Sequence, residues 1–157
     1  MAQGFNLQQV RANLLRTQRE IPLRLAKMTE KHFAESFSKG ALDEYKWAEV
    51  DRRIPGTKAW KYKRKGISLQ TQRNAPILVQ TGNLRRKVNR SIHTVTPNQI
   101  RLVVDLPYAK IHNEGGMAGR NHAAKIPARP YMVQTKVLTQ MQTELITKYM
   151  NQIWRGQ

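Results

Sequence analysis

Leu7, Val10, Leu14, Leu15 and Ile21 recur at helical spacing, and the pattern resumes after Pro22 with Leu25, Met28, His32, Phe33 and Phe37. Apolar positions at i, i+3, i+4 and i+7 mark one face of an α-helix. The phase 7, 14, 21, 28 holds across the proline. It predicts two helices, about 6–20 and 22–38, or one kinked helix. Asn6 is placed to cap the start, and Gly40 to close the end. His32, on the stripe, reads as a half-buried packing residue.

Period two replaces this pattern further on. Ile92 and Thr94, then Ile100, Leu102 and Val104, predict strands over 91–95 and 100–105 around a Thr96-Pro97-Asn98-Gln99 turn. The apolar run Leu102, Val103, Val104 and Leu106 leads, strand-like, into residues 108–132. There Gly115, Gly116 and Gly119 predict a mobile loop over 115–125, and Pro127 and Pro130 a stiff extended segment. Pro130 suits the first turn of a helix. Met132, Val133, Val137, Leu138, Met141, Leu145, Tyr149 and Ile153 then predict a helix from about 130 to 154, packed across the sheet. Its methionines are gap-fillers.

Two segments lack a clear period. Residues 77–90 carry Ile77-Leu78-Val79 and then Thr81, which can cap a short helix to about Arg90. Residues 41–76 read as a long basic and aromatic loop. Trp47 reads as a pin holding that loop onto the helices, while Trp60 and Tyr62 suit either such a role or stacking on bases. The expected class is α+β: N-terminal helices (1–40), the long loop (41–76), then a small antiparallel sheet with a long C-terminal helix packed on it (77–157), all in one domain of 157 residues.

Charge narrows the choice of partner. Lys and Arg number 28 against 10 Asp and Glu, a net charge of +18. No carboxylate occurs from Arg52 to Val104, whereas most acids precede that stretch. Such asymmetry points to a polyanion or an acidic protein surface, with a merely solvated face as the plain alternative. Two groups could carry the contact: Lys61, Lys63, Arg64 and Lys65 on the loop, and Arg86 with Arg90, four apart and on one face of the short helix. There is no cysteine, which excludes disulfides and thiolate metal sites. No run approaches a membrane span, and the first ten residues do not read as a secretory leader, so no membrane partner is expected.

Catalytic patterns are scarce. His93, His112, His122 and Glu114 are the only obvious candidates, and no HExxH, P-loop, GxSxG or paired-carboxylate spacing accompanies them. Gly115-Gly116-x-x-Gly119 precedes prolines, not a helix, so it does not cradle phosphate. His112 reads as a strand-end residue bonded to nearby backbone. No catalytic residue, cofactor or metal site is expected.

Two blocks carry a family resemblance. Tyr108, Ala109, Ile111, His112 and Gly115, followed by the gapless Ile-Pro-Ala-Arg-Pro-Tyr-Met at 126–132, form one. Ile-Leu-Val-x-Thr-Gly-Asn-Leu-Arg-Arg at 77–86 forms the other; here Ser91-Ile92 arrives later than in the family's pattern. Together they resemble the virion morphogenesis and tail-completion proteins of Mu-like and related tailed phages. The resemblance implies structural roles for Thr81, Gly82, Leu84, Tyr108, His112, Gly115, Pro127, Arg129 and Pro130. It implies a virion protein, assembled in the host cytoplasm, that helps terminate the tail or join it to the head connector. Its partners would be copies of itself in a ring and other neck, connector or tail proteins. A ring around the channel would also place the basic surface against DNA, an inference from charge alone. Two alternatives stand beside it: a basic nucleic-acid-binding module, and a small hydrolase or toxin acting through His93, His112 and Glu114.

Overall fold

A computed structural model describes residues 6–155. A single helix, α1 (Leu7–Lys39), opens the chain. The hairpin β1 (Ala41–Leu42) and β2 (Tyr45–Lys46) follows, then a 3-10 turn at Asp51–Arg53 and the short helices α2 (Lys58–Lys61), α3 (Leu69–Asn74) and α4 (Asn83–Val88). A second hairpin, β3 (Ile92–Thr96) and β4 (Gln99–Leu102), leads to α5 (Ala109–Glu114). A third, β5 (Gly116–Ala118) and β6 (Ala124–Ile126), precedes the last helix, α6 (Lys136–Arg155). The class is α+β, with the strands in three separate antiparallel pairs.

The expected choice between two N-terminal helices and one resolves to one, with Pro22 inside it. An interior proline costs roughly 3 kcal/mol through a lost hydrogen bond and a ring clash. Burial of the Pro22 ring offsets part of that. Asn6 caps as expected: its Oδ1 accepts from Gln8 N–H at 3.0 Å and Gln9 N–H at 3.2 Å.

The described residues divide into two compact units. The first holds α1 as far as His32, residues 91–103 and the chain from 134 onward. In it α6 packs on α1. Gln142 Nε2 donates to Thr29 Oγ1 at 3.2 Å, and the Arg24 guanidinium lies 5.4 Å from the Tyr149 ring centroid. The Glu30 carboxylate accepts from Ser91 N–H at 2.6 Å and Ile92 N–H at 3.1 Å, which ties the β3–β4 hairpin to α1. Ile92 pairs with Leu102 and Thr96 with Gln99, close to the expected register.

Two expectations for these helices change. The cleft between α1 and α6 is lined by Asn13, Thr17, Glu20 and Arg24 opposite Tyr149 and Ile153. One residue is about 100° around a helix, so Leu14 turns away from that cleft. Leu7 and Leu14 are accordingly 72% and 50% exposed, not core. Leu14→Gln should therefore shift stability by less than about 0.5 kcal/mol, the usual range for surface positions. A urea titration that loses more would place Leu14 in a buried contact. The second change concerns α6, which starts at Lys136 and not at Pro130. The backbone N–H groups of Tyr131 and Met132 are held by another side chain, described below, so helix cannot begin there. Thr135 takes the capping role, its Oγ1 accepting from Leu138 N–H at 3.0 Å.

The second unit holds residues 33–90 and 104–133. Phe37, Trp47 and Tyr131 form its aromatic centre, with ring centroids 5.5 Å apart for both Phe37–Trp47 and Phe37–Tyr131. Leu42, Ile77, Leu84, Val88 and Ala109 are buried in the same unit. Trp47 does pin its segment: it is 3% exposed, and Nε1 donates to Pro130 O at 2.7 Å.

Residues 41–76 are not an irregular loop. Side chains bond the carbonyls that no helix or sheet serves, as buried backbone requires. Arg52 donates to Gln72 O at 3.0 Å and to Ala75 O and Pro76 O at 2.8 Å. Arg53 donates to Arg73 O and Ala75 O, both at 2.9 Å. Arg73 donates to Trp60 O at 2.9 Å, with its guanidinium 3.5 Å from the Trp60 ring centroid. Part of the basic stretch is thus internal scaffold.

Candidate functional site

The residues of the 108–132 block close on one another in the second unit. Residues 109–114 form helix α5, so the strand-like entry expected here ends at Leu102 and His112 lies on a helix. From its last turn, Asn113 Oδ1 accepts from Tyr131 N–H and Met132 N–H, each at 3.0 Å. Arg129 N–H donates to His112 O at 2.9 Å, and Tyr131 OH donates to Ala109 O at 2.9 Å. Arg129, 6% exposed, also sends Nε to Ala48 O at 3.0 Å and Nη2 to Glu49 O at 3.3 Å. Gly115 sits at φ +78, where a Cβ would come 2.8 Å from Ala128 N. Pro127 and Pro130 hold this segment extended beside it. Asn113 was not singled out from sequence. Its only signal is an uncharged amide between His112 and Glu114, just before the glycines.

Residues 115–125, expected as a loop, form the β5–β6 hairpin instead, with Gly116 opposite Ile126 and Ala118 opposite Ala124. Gly119, Asn121 and His122 have positive φ, which turns the chain back between the two strands.

The other motif block meets this clasp across a groove of about 460 Å³. The groove is lined by Leu78, Val79, Gln80, Thr81, Asn83 and Leu84 together with Tyr108, His112, Arg129, Arg52 and Val50. Leu78 is left-handed at φ 60, a conformation costing a residue with a Cβ about 1–2 kcal/mol. The N-cap of α4 is Gly82, left-handed at φ 74 and without a side chain to cap with. Thr81 therefore does not cap in the usual way, though its Oγ1 accepts from Asn83 N–H at 3.4 Å. Tyr108 meets His112 edge to face at 5.9 Å. A larger hollow of about 730 Å³ lies along α6, but only side chains of that one helix line it.

The charged side chains that line the groove, Arg52 and Arg129, are both basic, with Asp51 and Glu49 acting on Arg129 from nearby. His112 Nδ1 is buried with no hydrogen-bond partner, unlike the backbone-bonded ring expected. Burial, and then Arg129, push the His112 pKa down. A group with a lowered folded pKa contributes stability above its unfolded value, about 6.5 for histidine, and loses it as pH falls through the folded value. Acid titration of the folded protein should therefore show a loss beginning below about pH 6.5 that His112→Asn diminishes. Identical profiles for the two proteins would contradict that.

The predicted basic residues fall into two groups. Lys61, Lys63 and Lys65 are exposed, as is Arg90. Arg64 faces the Gln80 amide, and Arg86 bonds Thr81 O at 3.1 Å and the Asn83 side chain. Helix α4 ends at Val88, so Arg90 lies beyond it and does not share a helical face with Arg86.

Among the described residues no group of three or more His, Cys, Asp or Glu could hold a metal ion. His93, on β3, touches Thr94 Oγ1 at 2.9 Å. His112 and Glu114 are two residues apart on α5, about 200° around the helix, and Glu114 reaches Lys110 at 3.9 Å. His122 is exposed in the turn of the third hairpin. No described helix is long and apolar enough to cross a membrane.

Comparison with known proteins gives two matches. The sequence profile of the phage virion morphogenesis family matches residues 6–151. Mu-like prophage FluMu G protein 2 of Haemophilus influenzae is 34% identical over 82 residues, 52% of this chain and 52% of that protein. The chain thus spans about half the length of the curated relative it matches. No solved structure matches it.

Proposed function

The chain belongs to the phage virion morphogenesis family, and on that premise we propose that it is a structural component of the neck or tail-completion region of a tailed phage. It acts in a ring that terminates the tail or joins it to the head connector, in contact with copies of itself and with neighbouring virion proteins. The observation that carries this reading is the use made of the motif residues and of Asn113 beside them. Asn113, Arg129 and Tyr131 all bond backbone groups within the second unit. They build a scaffold, and His112 and Glu114 diverge around α5, which supports a mechanical role without catalysis. A ring repeats one interface many times, so weak contacts suffice for a stable assembly.

Reconstruction of particles by electron microscopy tests the placement. Several copies at the head-proximal end of the tail are expected. Density for the chain only elsewhere, or only on free DNA, would overturn it.

Within that ring, Lys61, Lys63 and Lys65 face the DNA of the channel or an acidic neighbour. Their exposure supports this, as does the absence of carboxylates from Arg52 to Val104. Joint replacement of the three by Glu should cut the yield of infectious particles by about tenfold or more, by loss of phosphate contacts. Normal yield from a folded variant would make the charge a solvated face. Steep salt dependence of binding to free DNA would instead favour the nucleic-acid-binding module.

A further inference from the structure

We propose that the groove between residues 78–84 and the His112–Arg129 wall is a receptor for an acidic segment of a partner protein. The occupant is a carboxylate side chain flanked by apolar ones. This goes beyond the placement in the neck and does not depend on it.

Three observations converge. None of the residues lining the groove is acidic, and Arg52, Arg129 and His112 all line it. Each guanidinium is oriented by bonds from Nε and Nη2 to backbone carbonyls, while Nη1 of each makes no hydrogen bond among the described residues. The buried Nδ1 of His112 is likewise unpartnered. It can donate in one tautomer or when protonated. Both guanidiniums are held partly out of water. Burial pushes Arg52 down, then Arg53 does, with Glu49 opposing and Arg129 and Arg64 adding to the fall. Burial lowers Arg129 too, against the pull of Asp51 and Glu49. An anion placed between these groups would gain charge-assisted hydrogen bonds from preoriented donors.

The shape selects the anion. The half-buried Leu78 and Val79 also line the groove, so the ligand must bring apolar surface beside its charge. Arg129 is nearly inaccessible from bulk water. A DNA duplex presents phosphates on an outer ridge, one charge per about 1.7 Å of axis, and suits the projecting lysines, not recessed arginines. A Glu or Asp side chain on an extended peptide can reach inward while its neighbours cover Leu78 and Val79.

The test uses the whole chain and two blocked heptapeptides of Leu and Ser, identical except for a central Glu or Gln. Binding is followed by amide shifts. The Glu peptide should bind at least about tenfold tighter and shift Leu78, His112 and Arg129. Thr81→Glu, at the exposed rim, supplies a competing carboxylate; it should abolish peptide binding and leave the melting temperature unchanged. Should that variant not fold, the wild-type peptide pair decides alone. Equal affinities, no binding of either peptide up to its solubility limit, or full binding by folded Thr81→Glu would overturn the proposal. So would a short DNA duplex that shifts the groove residues in place of Lys61, Lys63 and Lys65.

Discussion

Tyr131→Ala should cost about 3–5 kcal/mol, a large share of the roughly 5–15 kcal/mol that holds a domain folded. The ring is 2% exposed and sits against Phe37 at the centre of the second unit. Truncation leaves a cavity there and strips Ala109 O of its hydroxyl donor. Tyr131→Phe keeps the ring and loses only that bond, at about 1–3 kcal/mol for an acceptor left unpaired. Chemical denaturation followed by circular dichroism separates the two. Equal small losses would show that Tyr131 is not a core anchor.

The same hydroxyl gives a pH signature. Burial, with a smaller contribution from Tyr108, pushes its pKa up to about 12. The unfolded chain ionises near 10. A raised folded pKa means stability is complete below the unfolded value and lost as pH rises through the folded one. Stability should thus fall between about pH 10 and pH 12, and Tyr131→Phe should remove that part of the fall.

Gly115→Val should cost about 2–5 kcal/mol, combining left-handed backbone strain with overpacking. The Cβ would meet backbone, Ala128 N at 2.8 Å and Ile126 O at 3.1 Å, which cannot swing aside as a side chain can. Gly66 is the control. Its φ is also +78, but nothing lies within 4 Å of an added Cβ. Gly66→Val should therefore show the strain alone, about 1–2 kcal/mol. Equal costs at the two positions would mean that the close approach of Gly115 to the 126–128 segment is not a constraint.

The long periodic segments were legible in the sequence. Helical spacing found α1 and α6, and alternation found β3 and β4, because each is long enough to show its period. Trp47 was read correctly as a pin, and the motif residues from Tyr108 to Pro130 do lie close together in the second unit. Helix α5 was not legible: six residues between an apolar run and two glycines are too few for a 3.6 period. The three-residue strands β5 and β6 failed for the same reason. Residues 51–76 are ordered by arginine and glutamine bonds to carbonyls, an interaction without periodicity, so composition alone suggested a loop. Leu7 and Leu14 matched the apolar pattern yet face solvent, because α6 covers the neighbouring face. The groove depended on bringing 78–84 beside 108–129, which no local pattern announces.

The most direct test is electron microscopy of particles from a phage with a stop codon at Trp47. A structural role at the neck or tail end predicts DNA-filled heads and tails that fail to join, or tails without a defined end. Complete, DNA-filled, tailed particles in normal number would contradict it.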